Sequence, residues 1–387
     1  MRCALVAVVG AGCGFSVGAG APDDARIDSS IDGVRADAPP DTPLDSFIPT
    51  SQWTRRKSIT VDATKVSAGP HANFPLLLSL GNDPNLATDA SATGGDIMFV
   101  ADDGVTRLPY QRQRFVKATG ELIAWVRIPS LSSAAPTTIY MYYGNPNAVD
   151  QQDPAATWES AYKGVWHLDD LQDSTINNND GTAQNGATMN AAGMVGTAVT
   201  FDGVDDRIRI TNSASLDATG AAGTFEMWVK FVDPSASKFQ LVLTNSNTFG
   251  GTTQDGYSWS TQPDGDHYFY PWAGNVNDFQ LVANPFASNQ WTFAVATFSF
   301  ATKTVSLYLD GQAMTTSGMT STLWTQVANP GDWLWGGNPM DAANHFAGQL
   351  DELRVSSGVR SAGWILTEYR NQSAPQTFYS LGVATSL

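Results

Sequence analysis

The sequence predicts an all-β chain built as two β-sandwich domains. Three observations carry that expectation. Of the 37 acidic residues only five are Glu, so 32 are Asp, and 35 residues are Gly; Asp, Gly, Asn, Ser and Thr favour turns over helices. From Trp53 onward, short β-branched and aromatic runs are separated by turn clusters, the spacing of sandwich strands. Charge then divides the chain. Residues 51–155 hold nine acids and nine bases, whereas residues 156–387 hold 21 acids and nine bases, a net charge of −12. The expected domains are therefore 51–155 and 156–387.

The elements are taken in chain order. Residues 1–20 place one Arg before an apolar run followed by small residues, the pattern of a secretory signal. Val9 to Cys13 resembles a bacterial lipobox, which implies lipidation of Cys13. Plain secretion and a buried N-terminus are the alternatives. Residues 21–50 carry seven acids and five Pro, too polar and too extended to order themselves, and are expected to be a disordered spacer. In the first domain the strands are expected at Ser58–Val61, Phe74–Leu80, Asp96–Val100, Leu122–Ile128 and Thr138–Tyr143. Turns such as Gly81-Asn-Asp-Pro84 and Asp102-Asp-Gly104 separate them. In the second, Arg207–Ile210, Thr224–Phe231 and Trp291–Phe298 alternate with period two. Along Thr224–Phe231, Phe225, Met227 and Val229 alternate with Glu226, Trp228 and Lys230, which sets them on opposite faces of a strand. Thr304–Met314 holds an Asp310-Gly311 hairpin turn. Ser361 is the expected N-cap of one late helix carrying Trp364, Ile365, Glu368 and Tyr369. Residues 377–382 are expected to be a closing strand.

Composition excludes several functions. The formal net charge is −16, which disfavours nucleic acid or anionic lipid as a partner. Both Cys lie before residue 14, so no disulfide, zinc finger or iron–sulfur site is available later in the chain. Past the leader no segment approaches 18 consecutive apolar residues, so membrane contact is expected only through a lipid anchor. The place expected is the cell envelope, as an outer-membrane lipoprotein or a secreted protein.

Two resemblances add to this reading. Trp53–Val61, Phe74–Leu80, Gly95–Gly104, Ala124–Leu131 and Ile139–Pro146 together resemble a bacterial domain of unknown function. That domain occurs in surface proteins and in some biopolymer-transport proton-channel proteins; the resemblance implies no activity. Gly164-Val-Trp-His-Leu-Asp-Asp170, Asp173–Thr182, Phe201-Asp-Gly-Val-Asp-Asp206, Leu307-Tyr-Leu-Asp-Gly311 and Phe346–Ser356 resemble laminin G-like, concanavalin A-like jelly-roll domains. That likeness implies a jelly roll over about 160–385 and a ligand-binding or adhesive role, often toward glycans. Many such domains hold calcium.

No catalytic signature is present. Laminarinase-like glycosidases carry Glu-x-Asp-x-x-Glu on one strand, and here all five Glu are isolated. The four His are scattered without H-E-x-x-H, and there is no G-x-S-x-G. His167, between Trp166 and Leu168, reads as a packed histidine. The Asp173–Gly181 stretch is dense in carboxylates and amides, the oxygens calcium takes. Asp173 and Asp180, with Asp351 brought near by the family's adjoining first and last strands, are the expected structural calcium ligands; the alternative is that these are Asx-turn residues. Tyr257 and Trp259, with Tyr268, Tyr270 and Trp272, are expected to share one hairpin face that stacks on sugar rings, the alternative being a sandwich core. The function expected is non-catalytic binding or adhesion at the cell surface, with a glycan or a surface protein as partner. A structural envelope module and a polysaccharide hydrolase with an unrecognised site are the alternatives.

Overall fold

A computed structural model describes residues 50–217, 222–235, 238–245, 255–273, 280–316, 331–337 and 344–387. The segments expected to be a leader and a spacer, with Cys13, lie up to residue 49 and so outside these residues. Apart from short helices, the described elements are strands, and the all-β expectation holds in both halves.

The first sandwich has two sheets. One runs Tyr379–Leu381, Arg55–Val61, Thr137–Tyr143, Met98–Ala101, Arg107–Leu108; the other runs His71–Leu80, Glu121–Leu131, Tyr110–Val116. Alternation explains the packing. Phe74, Leu76 and Leu78 meet Ile59, Ile139 and Met141 in one core. Their neighbours Leu77, Ile123 and Trp125 point the other way, against Trp158, Tyr162 and Val165. The three-stranded sheet is therefore buried on both faces. This is why Phe74–Leu80 reads as a continuous apolar run instead of a strict alternation.

The second sandwich packs a sheet containing Ala347–Ser357, Ala222–Phe231, Trp291–Ser299 and Thr304–Leu309 on a seven-stranded sheet containing Asp255–Thr261 and His267–Ala273. The Asp310-Gly311 turn forms with positive φ at both positions, 49° and 76°. That is the backbone of a type I′ hairpin.

The end of the chain behaves differently from expectation. Ser361 does cap the helix Ala362–Ser373, its side chain accepting from the Trp364 N–H. The closing strand forms as well, but Tyr379–Leu381 pairs with Arg55–Val61 and so closes the first sandwich. The helix lies between the halves. Trp364 joins the core of the first sandwich, while Ile365 packs with Trp228 and Phe293 of the second. The helix covers the face of Ala222–Phe231 that the sandwich core leaves open, so Glu226 and Trp228 are buried there. Trp228 Nε1 donates to Gln372 at 2.7 Å. Burial of Glu226, with the Glu368 carboxylate nearby, pushes its carboxyl well above the usual range. The described residues from Thr50 to Leu387 consequently belong to one compact unit.

A residue of this helix and one of the closing strand also finish an open sheet edge. The Leu77 N–H donates to Asn371 Oδ1 at 2.7 Å, and Asn371 Nδ2 donates to the Leu77 carbonyl at 3.1 Å. Two residues on, the Tyr379 hydroxyl accepts from the Ser79 N–H and donates to its carbonyl. Two side chains thus replace a missing neighbouring strand.

Candidate functional site: a cleft between the sandwiches

The edge strand Tyr110–Val116 places Gln111 and Gln113 on one face, two residues apart. Opposite runs the loop that follows Tyr162–Trp166. Between them lies a cleft of about 590 Å³, lined by Gln111, Arg112, Gln113, Gln152, His167, Asp169, Asp170, Gln172, Asp173, Ser174, Ile176 and Asn178 among others. That volume suits a small ligand.

Buried donors fix the cleft walls. The Trp158 indole N–H and a His167 ring nitrogen both meet Gln111 Oε1, at 2.6 and 3.0 Å, and the Trp125 indole N–H donates to Gln113 Oε1 at 2.8 Å. The amide nitrogens then reach across, Gln111 to Ser174 Oγ at 2.8 Å and Gln113 to Asp169 at 2.9 Å. Because an indole N–H only donates, each glutamine is held in one orientation. His167 is buried at the floor and stacks on Trp125 at 5.6 Å. Its Nδ1 lies 2.9 Å from Glu352, which also bonds Arg354 at 2.9 Å; Arg354 in turn bonds Glu368 at 2.7 Å. The cleft therefore rests on a buried ionic network that runs back to the late helix.

The expected calcium set does not fit. Asp173 accepts from the N–H groups of Val165, Thr175 and Asn179 and from the Thr175 hydroxyl. Four donors on two oxygens leave no lone pair for a cation, which is the Asx-turn alternative. Burial raises the Asp173 carboxyl against those bonds. Asp180 accepts from the Asp173 N–H. Asp351 is buried elsewhere, accepting from the Val195 N–H at 2.9 Å beneath Gly193. Among the described residues the three acids whose oxygens gather within 4.8 Å are Asp202, Asp205 and Asp206, in a turn where Asp202 and Asp206 accept main-chain N–H groups.

The aromatic face is corrected by register. The hairpin forms, but Trp259 pairs with Phe269, Tyr257 with Pro271, Ser258 with Tyr270 and Ser260 with Tyr268. Paired residues share a face. Odd positions therefore point together into the core, where Trp259 is 1% exposed and Tyr257 8%. Those rings pack on Phe269 and Phe225 and are closed to a ligand. Tyr268 and Tyr270 lie on the opposite face, their rings parallel within 10° and 5.6 Å apart. The Trp272 side chain lies outside the described residues.

Sequence reasoning missed the cleft, because its two walls lie more than fifty residues apart. The Asp173–Gly181 wall was singled out, but as calcium ligands, and the signal on the other wall was a pair of glutamines in an otherwise apolar, basic strand.

Fold and site together define a β-sandwich protein with a polar cleft. Residues 93–184 match the model of a domain of unknown function, DUF2341. Residues 201–366 match the concanavalin A-like lectin/glucanases superfamily, so the chain carries the first domain followed by the second, as the sequence resemblances implied. No curated protein matches the chain. Among solved structures, the receptor-binding domain of botulinum neurotoxin mosaic serotype C/D is 12% identical, covers 55% of this chain and 51% of its own, and has a TM-score of 0.45. The binding domain of Paraclostridial Mosquitocidal Protein 1 is 13% identical over 54% and 52%, with a TM-score of 0.43. The chain spans about half the length of the solved structures it matches.

Proposed function

We propose that this chain is a non-catalytic glycan-binding protein of the cell envelope, exported by its leader and held there through Cys13. The cleft carries the reading. It has the volume of a small-ligand site, and sugar hydroxyls are recognised by a few fixed amides and carboxylates. Gln111 and Gln113 are locked by buried indoles, and Gln172, Asn178 and Asp170 stand exposed at the rim. The superfamily description covers lectins as well as glucanases, and the absence of the glycosidase carboxylate motif favours the lectin side.

A glycan array probed with the full chain tests this. Binding should fall at least tenfold in Gln172→Ala/Asn178→Ala with unfolding unchanged. Tyr268→Ala, on the other face of the second sandwich, should leave it intact. Loss in Tyr268→Ala alone would move the site to the hairpin. A blank array would sink the reading.

A further inference from the structure

The charges lining the cleft do not cancel. Its one guanidinium, on Arg112, is already neutralised: both terminal nitrogens bond Asp150, at 3.1 and 2.7 Å, and one also bonds the Gly94 carbonyl. The floor is internally paired, since His167 and Arg354 face Glu352. The opposite wall carries Asp169, Asp170 and Asp173. Asp169 bonds only neutral donors, the Thr197 N–H and hydroxyl and the Gln113 amide. Asp170 is exposed and accepts only from the Gln172 N–H. No ion pair among the described residues reaches any of these three carboxylates. Ile176, 71% exposed, also lines the cleft and offers an apolar contact for the C–H face of a sugar ring.

From the unbalanced wall, the locked amides and the exposed Ile176, we infer that the cleft takes a cationic amino sugar in preference to a neutral or anionic saccharide, with Asp170 as the residue that sets the preference. The inference rests on the glycan reading above. An ammonium a few ångströms from an exposed carboxylate gains an attraction that salt screens. A surface pair of this kind corresponds to about a fivefold difference in affinity. An anionic sugar meets the same wall with the opposite sign.

The test is calorimetric titration of the full chain with the tetramers of glucosamine, N-acetylglucosamine and galacturonate, at low and at high salt. The glucosamine tetramer should bind about fivefold more tightly than its acetylated form, and the galacturonate tetramer most weakly. The advantage of the glucosamine tetramer over its acetylated form should vanish in Asp170→Asn and shrink in high salt. Failure of the glucosamine tetramer to bind, equal affinities, or an advantage that survives Asp170→Asn would overturn the charge preference and leave the glycan reading standing. A blank glycan array in addition would overturn both.

Discussion

Asn371→Ala should show how much the late helix contributes by completing the first sandwich. Asn371 is 1% exposed, and Leu77 is fully buried. The amide side chain supplies one acceptor and one donor to the Leu77 main chain. Its removal leaves a buried N–H and a buried C=O without partners. Each such group costs about 1–3 kcal/mol. Some relaxation toward solvent offsets part of this, so the expected loss is about 3 kcal/mol. Urea denaturation at neutral pH measures it as a shift in midpoint at unchanged slope. Amide exchange at Leu77 offers an independent readout, and its protection should fall by a factor on the order of 100. A loss under about 0.5 kcal/mol, with Leu77 still protected, would show that the edge is satisfied without Asn371. Tyr379→Phe, which removes the hydroxyl from Ser79, should be sub-additive with Asn371→Ala, because both act on one edge.

Three further outcomes are expected. Glu226 has a folded pKa above its ordinary value of 4.5. The unfolded chain therefore ionises first, and the wild type loses stability as pH rises from about 4.5 toward the folded value. Glu226→Gln lacks that slope, so its stability relative to wild type should climb between pH 5 and pH 8 in chemical denaturation; a constant difference would contradict the burial argument. Asp173→Ala should cost about 3 kcal/mol by orphaning N–H groups of its own loop, and equally in calcium and in chelator; a loss seen only in calcium would restore the metal role. A chain shortened to residue 360 loses Trp364, Ile365 and the strand Tyr379–Leu381, and should no longer unfold cooperatively; a single sharp transition at wild-type temperature would show that the two cores do not depend on the helix.

Much of the local structure was legible in the sequence. Phe74–Leu80, Thr224–Phe231 and Trp291–Phe298 announced themselves by β-branched and aromatic content, the Asp310-Gly311 turn by its need for positive φ, and the late helix by its Ser361 cap. These signals depend on residues within a turn or a strand of one another, so a linear reading captures them. The two family resemblances likewise rested on ordered local motifs.

The tertiary structure decided which face each residue shows and which distant residues meet. The aromatic hairpin was visible as two runs, but the five residues between Thr261 and His267 set the register. One residue more or fewer would have turned Trp259 toward the face of Tyr268. Alternation along Thr224–Phe231 separated two faces, and a helix arriving from more than 130 residues away buried Glu226 and Trp228 on the second. Asp173 could have held a cation or capped its loop; the positions of the Val165 and Asn179 N–H groups settled on the cap. The cleft exists only because Gln111 on one sandwich meets Ser174 on the other. Side-chain type and spacing determine what a segment can become. Burial and pairing are properties of the whole packing, because they depend on what the rest of the chain brings against that segment.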